Sequence, residues 1–220
     1  MKNEEENIGN FFEKYPVMKF QKGEKVVRPG ILASNVLYIK SGFIRLYIVS
    51  KEAKDVTICF LNASKLKNVI MGISSRFNKY SVEALTELEV VQVPQEAFIA
   101  YIYQKPAVFA GFSKSLFELA DTLFEQSAWL KSGDSYTKVA SAIYYLHRDF
   151  STVVDNTRQI DLKLTHHMLA SLTGLTRETV TLQMNVLQKK GIIQYRNNYV
   201  HVHNYLQLKV ETDYQDEVVL

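Results

Sequence analysis

The segment spanning residues 164–191 constrains the fold of this chain more than any other part of it. Thr165 can cap the N-terminus of a short helix, and Gly174 permits the left-handed turn that must follow that helix. Thr176 can then cap a second helix, and Ala170 is small enough for the two helices to cross closely. The spacing therefore predicts a helix-turn-helix.

The second helix of this motif, predicted over about residues 176–190, has two chemically different faces. The inner face is apolar, whereas the outer face is made of side chains that form hydrogen bonds. The inner row is Val180, Met184 and Leu187, and the outer row is Arg177, Glu178, Thr181, Gln183, Gln188 and Lys189. At the start of a helix in the DNA major groove, Arg can bond a guanine edge and Glu can accept from cytosine. The pattern therefore predicts a recognition helix.

Two strand-like runs follow this helix, at residues 192–196 and 199–203. Asn197 and Asn198 join them, and Asn tolerates the positive φ that a tight hairpin requires. A hairpin in this position is typical of a wing, and Arg196 near its tip is expected to face phosphate. The alternative is an ordinary helical hairpin inside a core, with its charged side chains merely solvated.

Charge separates this region from the rest of the chain. The whole chain has a net charge of +3, whereas residues 162–209 hold six basic side chains and the single acid Glu178. Four of the five histidines also lie there. A local positive excess suits a polyanionic partner, because phosphate neutralisation and counterion release supply most non-specific affinity for nucleic acid. The same excess would suit a solvated face if the helix-turn-helix pattern were absent.

The stretch of residues 17–94 predicts a small antiparallel β-roll. Its apolar runs are short, rich in β-branched or aromatic residues, and separated by Gly or charged turn residues. They lie at residues 25–27, 36–39, 43–49, 56–61 and 90–93. The single cysteine, Cys59, is expected to be a small core residue, with a redox role as the minority alternative. One thiol also excludes an internal disulfide and an iron–sulfur cluster held by this chain alone.

A long helix is predicted over residues 106–132, and it has more apolar surface than one partner can cover. Its heptad row is Phe109, Phe112, Leu116, Leu119, Leu123 and Leu130, with Gln126 as a polar interruption. A second row is Phe117, Ala120, Phe124 and Trp129. We expect one face to pack on the roll and the other to meet a second copy of the chain, which predicts a homodimer. Burial of both rows within one monomer is the alternative.

The chain is therefore predicted to be an α+β protein in three parts. A β-roll sensor-like domain spans residues 1–105, a dimerisation helix spans 106–132, and a winged helix-turn-helix domain spans 133–220. The boundary follows from Gly133 as a helix C-cap and Asp134 as the next N-cap. A helix over residues 135–148 and a pair of short strands between 153 and 162 are expected to begin the last part.

Several other classes of protein are disfavoured by the sequence. A hydrophobic fraction of 47% excludes intrinsic disorder. No apolar run approaches the ~18 residues that a membrane span needs, so no membrane partner is expected and the predicted location is the cytoplasm. An enzyme built on the roll would need clustered His and carboxylate ligands, yet residues 1–132 contain no histidine. The remaining alternative is a small-molecule sensing module whose winged domain binds protein rather than DNA.

The chain resembles the Crp/Fnr superfamily of bacterial transcription regulators over nearly its full length. The resemblance rests on Lys22–Glu24, Pro29–Gly30, Tyr38–Gly42 with Arg45, and above all Leu172–Val180. It implies a cyclic-nucleotide-binding-like roll, and a homodimer that binds a palindromic operator in double-stranded DNA, with RNA polymerase as a further partner. The strings Lys67–Gly72 and Asn198–Tyr199 look closest to the PrfA-like branch of Gram-positive bacteria.

The resemblance also implies roles for individual residues. Arg177 and Glu178 match the base-reading pair, Thr176 and Thr179 match positions that contact phosphate, and Arg196 matches a wing contact. Leu182 stands where many relatives have a second base-reading Arg, and Gln183 stands where an apolar core residue is usual. Either the operator differs in its outer bases, with Leu182 touching a thymine methyl, or the helix is slightly rotated.

Cyclic-nucleotide-binding members of the superfamily use a Gly-Glu pair and a downstream Arg-x-Ala to hold the ribose and cyclic phosphate. Here Gly72 is followed by Ile73, and Val82 stands two residues before Ala84. Burying a phosphate without its cation is unfavourable, so the effector is expected not to be cyclic AMP. No cofactor is expected, and a small-molecule effector of another kind is left open.

Two adjacent histidines begin the first helix of the motif. His166 and His167 raise the possibility of a metal site, but neighbouring side chains on a helix point about 100° apart and no third ligand is evident. We therefore expect no metal, and we expect both histidines to lie near DNA phosphate at the start of this helix. His166 is counted among the DNA-binding residues, as are Thr181, Gln183 and Lys189 of the outer face.

Overall fold

The computed structural model describes residues 8–30, 34–63, 69–70, 79–154 and 157–214. The chain divides into two compact units, Met1–Asp121 and Thr122–Leu220. The division falls within one long helix, so it does not coincide with either end of the predicted dimerisation helix.

The first unit is built on antiparallel strands, as predicted. The described strands of this unit are β1 Val17–Phe20, β2 Lys25–Val27, β3 Asn35–Ser41, β4 Phe43–Val49, β5 Asp55–Asn62, β6 Val69–Ile70, β7 Ser81–Ala84 and β8 Leu88–Pro94. They form two four-stranded sheets, in the orders β1-β8-β3-β6 and β2-β7-β4-β5. All five predicted strands are confirmed, some with ends extended by one or two residues. The roll architecture follows from the pairing of each strand with a neighbour in the opposite direction.

Strand β7 was not predicted individually, although it lies between β2 and β4 in its sheet. Its sequence, SVEA, contains two small residues and a charged one, so it carries no β-strand pattern of its own. Its pairing with β4 places Glu83 opposite Arg45. Arg45 is buried and forms ion pairs with Asp55 of β5 and Glu83 of β7. The strand is thus held by its neighbours rather than by its own propensity.

Cys59 lies in β5 with its side chain 1% exposed. Burial raises the pKa of this thiol to about 12. The prediction of a small core residue is therefore confirmed.

A helical segment at residues 8–12 and helix α1, Gln95–Tyr103, enclose an aromatic core in this unit. The ring of Phe12 stacks on Tyr38 with centroids 4.3 Å apart, and Phe98 meets Phe112 edge-on at 5.4 Å. Phe112 is only 3% exposed. Its expected place in an exposed dimerisation row is therefore wrong, because the core of its own unit already uses this ring.

Helix α2 runs from Pro106 to Ser132, with the bounds predicted from the sequence. The two predicted apolar rows do not correspond to two separate faces. Phe117 and Phe124 are 72% and 70% exposed, whereas Trp129 of the same predicted row is buried. One exposed stripe combines residues of both predicted rows. It consists of Phe109, Leu116, Phe117 and Phe124. Leu119, Leu123 and Leu130 are half-buried, and the buried Gln126 lies on another side with Ser115 and Thr122.

The second unit is a winged helix-turn-helix. Its elements are α3 Ser135–Phe150, β9 Ser151–Val154, β10 Thr157–Ile160, α4 His166–Thr173, α5 Arg177–Lys189, β11 Ile193–Arg196, β12 Tyr199–Val202 and α6 Tyr205–Val210. The predicted helices and wing are confirmed, and the strands β9 and β10 begin two or three residues earlier than expected. The wing also pairs with β10, so a four-stranded sheet of order β11-β12-β10-β9 forms.

Some predicted features lie outside the described residues. Of the string Lys67–Gly72, only Val69 and Ile70 are described, as β6. Gly72 and Ile73, used in the cyclic AMP argument, lie outside them. In the part of the chain that is described, no helix combines the length and the apolar character needed to cross a membrane. Within the same residues, no three His, Cys, Asp or Glu side chains cluster so as to hold a metal ion.

Candidate nucleic-acid interface

The helix-turn-helix is shaped by the three residues that predicted it. The Thr165 hydroxyl accepts a hydrogen bond from Met168 N at 3.1 Å, which caps α4. Gly174 ends α4 in the left-handed region with φ 70°. The Thr176 hydroxyl accepts from Thr179 N at 3.2 Å and caps α5. The helix-turn-helix thus follows from local side-chain chemistry.

The inner row of α5 is completely buried, and this burial fixes the outward face. Val180, Met184 and Leu187 are each 0% exposed. Arg177 and Glu178 begin the helix on its exposed side. Lys189 is exposed in the last turn, where a cation is favoured by the helix dipole. The first turn of α5 therefore presents one cation and one carboxylate to solvent, as the sequence predicts.

Thr176 and Thr179 lie at the N-terminus of α5, where backbone N–H groups remain available to an anion. Their hydroxyl groups are 3.0 Å apart. Thr176 is exposed and Thr179 is half-buried. Both positions are consistent with a phosphate contact at this helix end.

Gln183 does not belong to the outward face. Its side-chain Nε2 donates to Ser135 Oγ of α3 at 3.2 Å, and the side chain is half-buried. It therefore fills the inward position that an apolar residue usually occupies in such regulators, with its Nε2 hydrogen-bonded to Ser135. The prediction that Gln183 faces DNA is wrong in this structure. Leu182, next to it, is 63% exposed and points outward.

His166 and Thr181 also take a different place from the one predicted. Nδ1 of His166 lies 2.7 Å from Thr181 Oγ1, and the ring is half-buried. The same ring stacks on Tyr195 of β11 with centroids 4.9 Å apart. Burial, and secondarily the charge of Arg177, lowers the pKa of His166. The two side chains contact each other within the domain, so neither the expected place of His166 near phosphate nor the expected outward place of Thr181 is found.

The wing is formed by a turn in which Asn197 and Asn198 have φ 53° and 66°, as their sequence predicts. Arg196 is exposed beside this turn. Lys163 approaches the same hairpin, with its Nζ 5.5 Å from the centre of the Tyr199 ring. Two cations therefore lie at or near the wing.

Sequence reasoning missed the residues that attach the wing to the helices. Tyr195 donates through its hydroxyl to Leu164 O at 2.7 Å, and its backbone N–H donates to Gln188 Oε1 at 3.0 Å. Leu164 N also donates to Asn198 O at 2.7 Å. The one available signal is strand alternation, because Tyr195 falls between the exposed Gln194 and Arg196 and so must face inward.

The positive charge of the region is smaller than the sequence suggests. Lys190 Nζ lies 2.9 Å from both carboxylate oxygens of Glu211 and 3.0 Å from the Tyr136 hydroxyl. Glu211 is outside the basic stretch in the sequence, so its compensation of Lys190 was not foreseen. The exposed cations that remain along the helix and wing are Lys163, Arg177, Lys189 and Arg196.

Comparison with known families matches both units. Residues 137–210 match the Crp-like helix-turn-helix domain, and residues 17–105 match the cyclic nucleotide-binding domain. Together these two matches span most of the chain. The helix-turn-helix match contains the whole of α4, α5 and the wing.

Relatives and solved structures agree with this pair of domains. The Global nitrogen regulator of Synechocystis sp. (strain ATCC 27184 / PCC 6803 / Kazusa) is 26% identical over 198 residues, which cover 86% of this chain and 85% of that protein. Among solved structures, a CooA mutant from Carboxydothermus hydrogenoformans has a TM-score of 0.76 at 20% identity, with 91% of this chain and 89% of that chain covered.

FixK2 from Bradyrhizobium japonicum has a TM-score of 0.79 at 16% identity, with 92% of this chain and 99% of that chain covered. At these identities the two solved structures show a common fold. The matched proteins do not confirm the predicted PrfA-like branch. They are regulators rather than enzymes, and the domain pair is the one that such regulators share. The chain accordingly belongs to the Crp/Fnr family of transcription regulators, whose helix-turn-helix domain binds DNA.

Proposed function

We propose that the chain acts as a homodimer that recognises a roughly palindromic operator in double-stranded DNA. Two copies of α5 would enter successive major grooves about 34 Å apart. The observation that carries this proposal is the outward position of Arg177 and Glu178 on a helix whose inner row is fully buried. In a major groove, these two side chains can read guanine and cytosine edges.

The structure supports a division of labour among the exposed groups. Arg177 and Glu178 read bases, while Thr176 and Thr179 place the N-terminus of α5 against phosphate. Lys189 and Arg196 contact phosphate from the end of the helix and from the wing. Thr181, Gln183 and His166 support this surface from inside the domain.

The exposed stripe of α2 supports the dimer. Four large apolar side chains, Phe109, Leu116, Phe117 and Phe124, are exposed along one side of this helix. Contiguous exposed apolar surface of this kind marks an interaction site, and a second copy of the same stripe is the self-complementary partner that a two-fold dimer needs. The dimerisation surface is therefore this stripe with the half-buried Leu119, Leu123 and Leu130, and without Phe112.

The roll is proposed to respond to a signal other than cyclic AMP. Val82, at the position where cyclic-nucleotide-binding relatives carry Arg, is buried and has no donor for a phosphate. Arg45, a buried cation of the same sheet, is already neutralised by Asp55 and Glu83. Operator affinity should therefore be the same with and without millimolar cyclic AMP. A strong increase with cyclic AMP would contradict this part of the proposal.

The proposed location is the cytoplasm, where the operator and RNA polymerase are found. Activation requires a contact with RNA polymerase, whereas repression requires only that the protein occupy the promoter. Transcription in vitro from a promoter that carries the selected operator distinguishes these two outcomes.

A comparison of two arginine variants tests the assignment of roles. Duplexes are first selected from a random library by the wild-type protein, and affinities are then measured for the selected and a scrambled sequence. Arg177→Ala should lose about 1–3 kcal/mol of preference for the selected duplex. Arg196→Ala should weaken both duplexes equally and lower the salt slope by about one. Unchanged preference in Arg177→Ala would refute the base-reading role.

A further inference from the structure

His166 joins three elements of the winged domain. It lies in the first turn of α4, its Nδ1 is 2.7 Å from Thr181 Oγ1 of α5, and its ring stacks on Tyr195 of the wing strand β11. The Thr181 hydroxyl is in turn 2.9 Å from Arg177 O. A chain of contacts thus runs from the wing, through the imidazole, to the backbone of the residue that begins the recognition helix.

The hydrogen bonds define the protonation of this imidazole. A Thr hydroxyl has one proton, and here it is donated to Arg177 O. Thr181 Oγ1 must then accept from His166, so the ring carries its proton on Nδ1. Its Nε2 is buried and, among the described residues, has no hydrogen-bond partner. A second proton there would be a buried unpaired donor close to the charge of Arg177, which agrees with the lowered pKa of His166.

Other contacts also tie the wing to α5 and to the residues before α4. His166 stacks on the ring of Tyr195. The hydroxyl of Tyr195 donates to Leu164 O, and its backbone N–H donates to Gln188 Oε1. One face of its ring, its hydroxyl and its backbone N–H are therefore held by residues of the helix-turn-helix. A shift of Thr181 relative to the wing would break the contacts of His166.

We infer that His166, Thr181 and Tyr195 form a latch that positions Arg177 and Glu178 for base reading, with His166 as a positioning residue that does not touch DNA. The inference rests on the proposed function, which it deepens. A side chain that contacts phosphate adds affinity for every sequence, whereas a residue that orients the base-reading pair affects only the preferred sequence. The two roles therefore have different signatures.

The experiment measures affinities of the full-length protein for the selected and scrambled duplexes over a salt series. His166→Ala should reduce the ratio of the two affinities at least about tenfold, as expected for loss of a partly buried hydrogen bond and a ring stack, with the salt slope unchanged. His166→Asn, which can keep a donor near the Nδ1 position, should recover most of the ratio. His167→Ala changes the exposed neighbour on the same helix and is the matched control, so its ratio should stay at the wild-type value.

Thr181→Val provides a second route to the same test, because it removes the hydroxyl while it keeps the side-chain shape. It should lower the ratio in the same way, and its effect should not add to that of His166→Ala. An equal loss for both duplexes with a lower salt slope would assign His166 to phosphate and overturn the latch. Unchanged ratios in both variants would also overturn it. If the wild-type protein bound the selected and scrambled duplexes equally well, the proposed function itself would be rejected.

Discussion

The side-chain amide of Gln183 donates to Ser135 Oγ at 3.2 Å, so this residue of the recognition helix faces α3. Rotation of the helix was one explanation for the unusual pair Leu182–Gln183. Gln183 points to α3, and the row of Val180, Met184 and Leu187 is buried. The helix therefore shows no sign of rotation, and the explanation that remains is an operator that differs in its outer bases. Leu182 is thus left outward, 63% exposed, at the position where the resemblance to Crp/Fnr regulators places a second base-reading side chain.

Leu182 is therefore expected to read a thymine methyl group. In the selected operator, replacing one particular thymine by uracil, which lacks only that methyl, should weaken binding about three- to fourfold, as expected for one buried carbon group. Leu182→Ala should bind the thymine and uracil duplexes equally. The assignment would be contradicted if no uracil substitution in the selected operator weakened binding. It would also be contradicted if Leu182→Ala lost as much affinity on uracil substitution as the wild-type protein.

The exposed stripe of α2 predicts that Leu116→Glu produces monomers. A charge in the middle of an apolar interface must be desolvated without a partner, which is strongly unfavourable. Lys114→Glu is the matched control, because Lys114 is exposed on the same helix but about 200° away from Leu116. Sedimentation should show monomers for the first variant and dimers for the second. An intact Leu116→Glu dimer would place the interface elsewhere.

Arg45 is expected to stabilise the roll through its two carboxylate partners. Its side chain is 6% exposed, while those of Asp55 and Glu83 are 32% and 25% exposed. Arg45→Met should lower the free energy of unfolding by about 2 kcal/mol, because two partly buried carboxylates lose their cation. Lys54→Met removes the fully exposed pair with Glu52 and should change stability little. Urea unfolding measures both, and equal effects would contradict the account.

Because His147 is buried, we expect the free energy of unfolding to fall as the solution is acidified. Burial, with the charge of Arg158 as a smaller cause, lowers the pKa of His147 to about 4. Between the ordinary His pKa of about 6.5 and this value, the unfolded chain binds a proton that the folded chain does not, so the free energy of unfolding falls with falling pH. The loss is of the order of 3 kcal/mol for this group.

His166 contributes with the same sign, since its pKa is also lowered. His147→Phe should therefore retain some pH dependence but show a clearly shallower slope between pH 6.5 and 4. Denaturant unfolding at several pH values measures this slope. A variant with the wild-type slope would show that His147 titrates normally.

The parts of the site that sequence predicted depend on local chemistry. Thr165, Gly174 and Thr176 act within a few residues of their own positions, so their caps and turn follow from the sequence alone. The same holds for the Asn197–Asn198 turn. An apolar row at a spacing of three and four residues is an equally local signal, because it predicts which face of a helix is buried. Val180, Met184 and Leu187 form such a row, and all three are buried.

The parts that sequence did not predict depend on partners far along the chain. Gln183 and Ser135, His166 and Thr181, and Lys190 and Glu211 are 48, 15 and 21 residues apart. Each side chain carries the chemistry of a surface residue, and only the fold supplies its partner. Phe112 was placed in the wrong row for a related reason, since its periodicity fits both a dimer seam and the aromatic core around Phe98.

The central claim is that the outward face of α5 binds duplex DNA in a sequence-dependent way. Fluorescence anisotropy with the selected and scrambled duplexes, from about 50 to 300 mM salt, tests it most directly. Affinity for both duplexes should fall steeply with salt, with the selected duplex bound about 10³-fold or more tightly throughout. Binding that is independent of salt, or equal for the two sequences, would contradict the account and favour a protein partner for the winged domain.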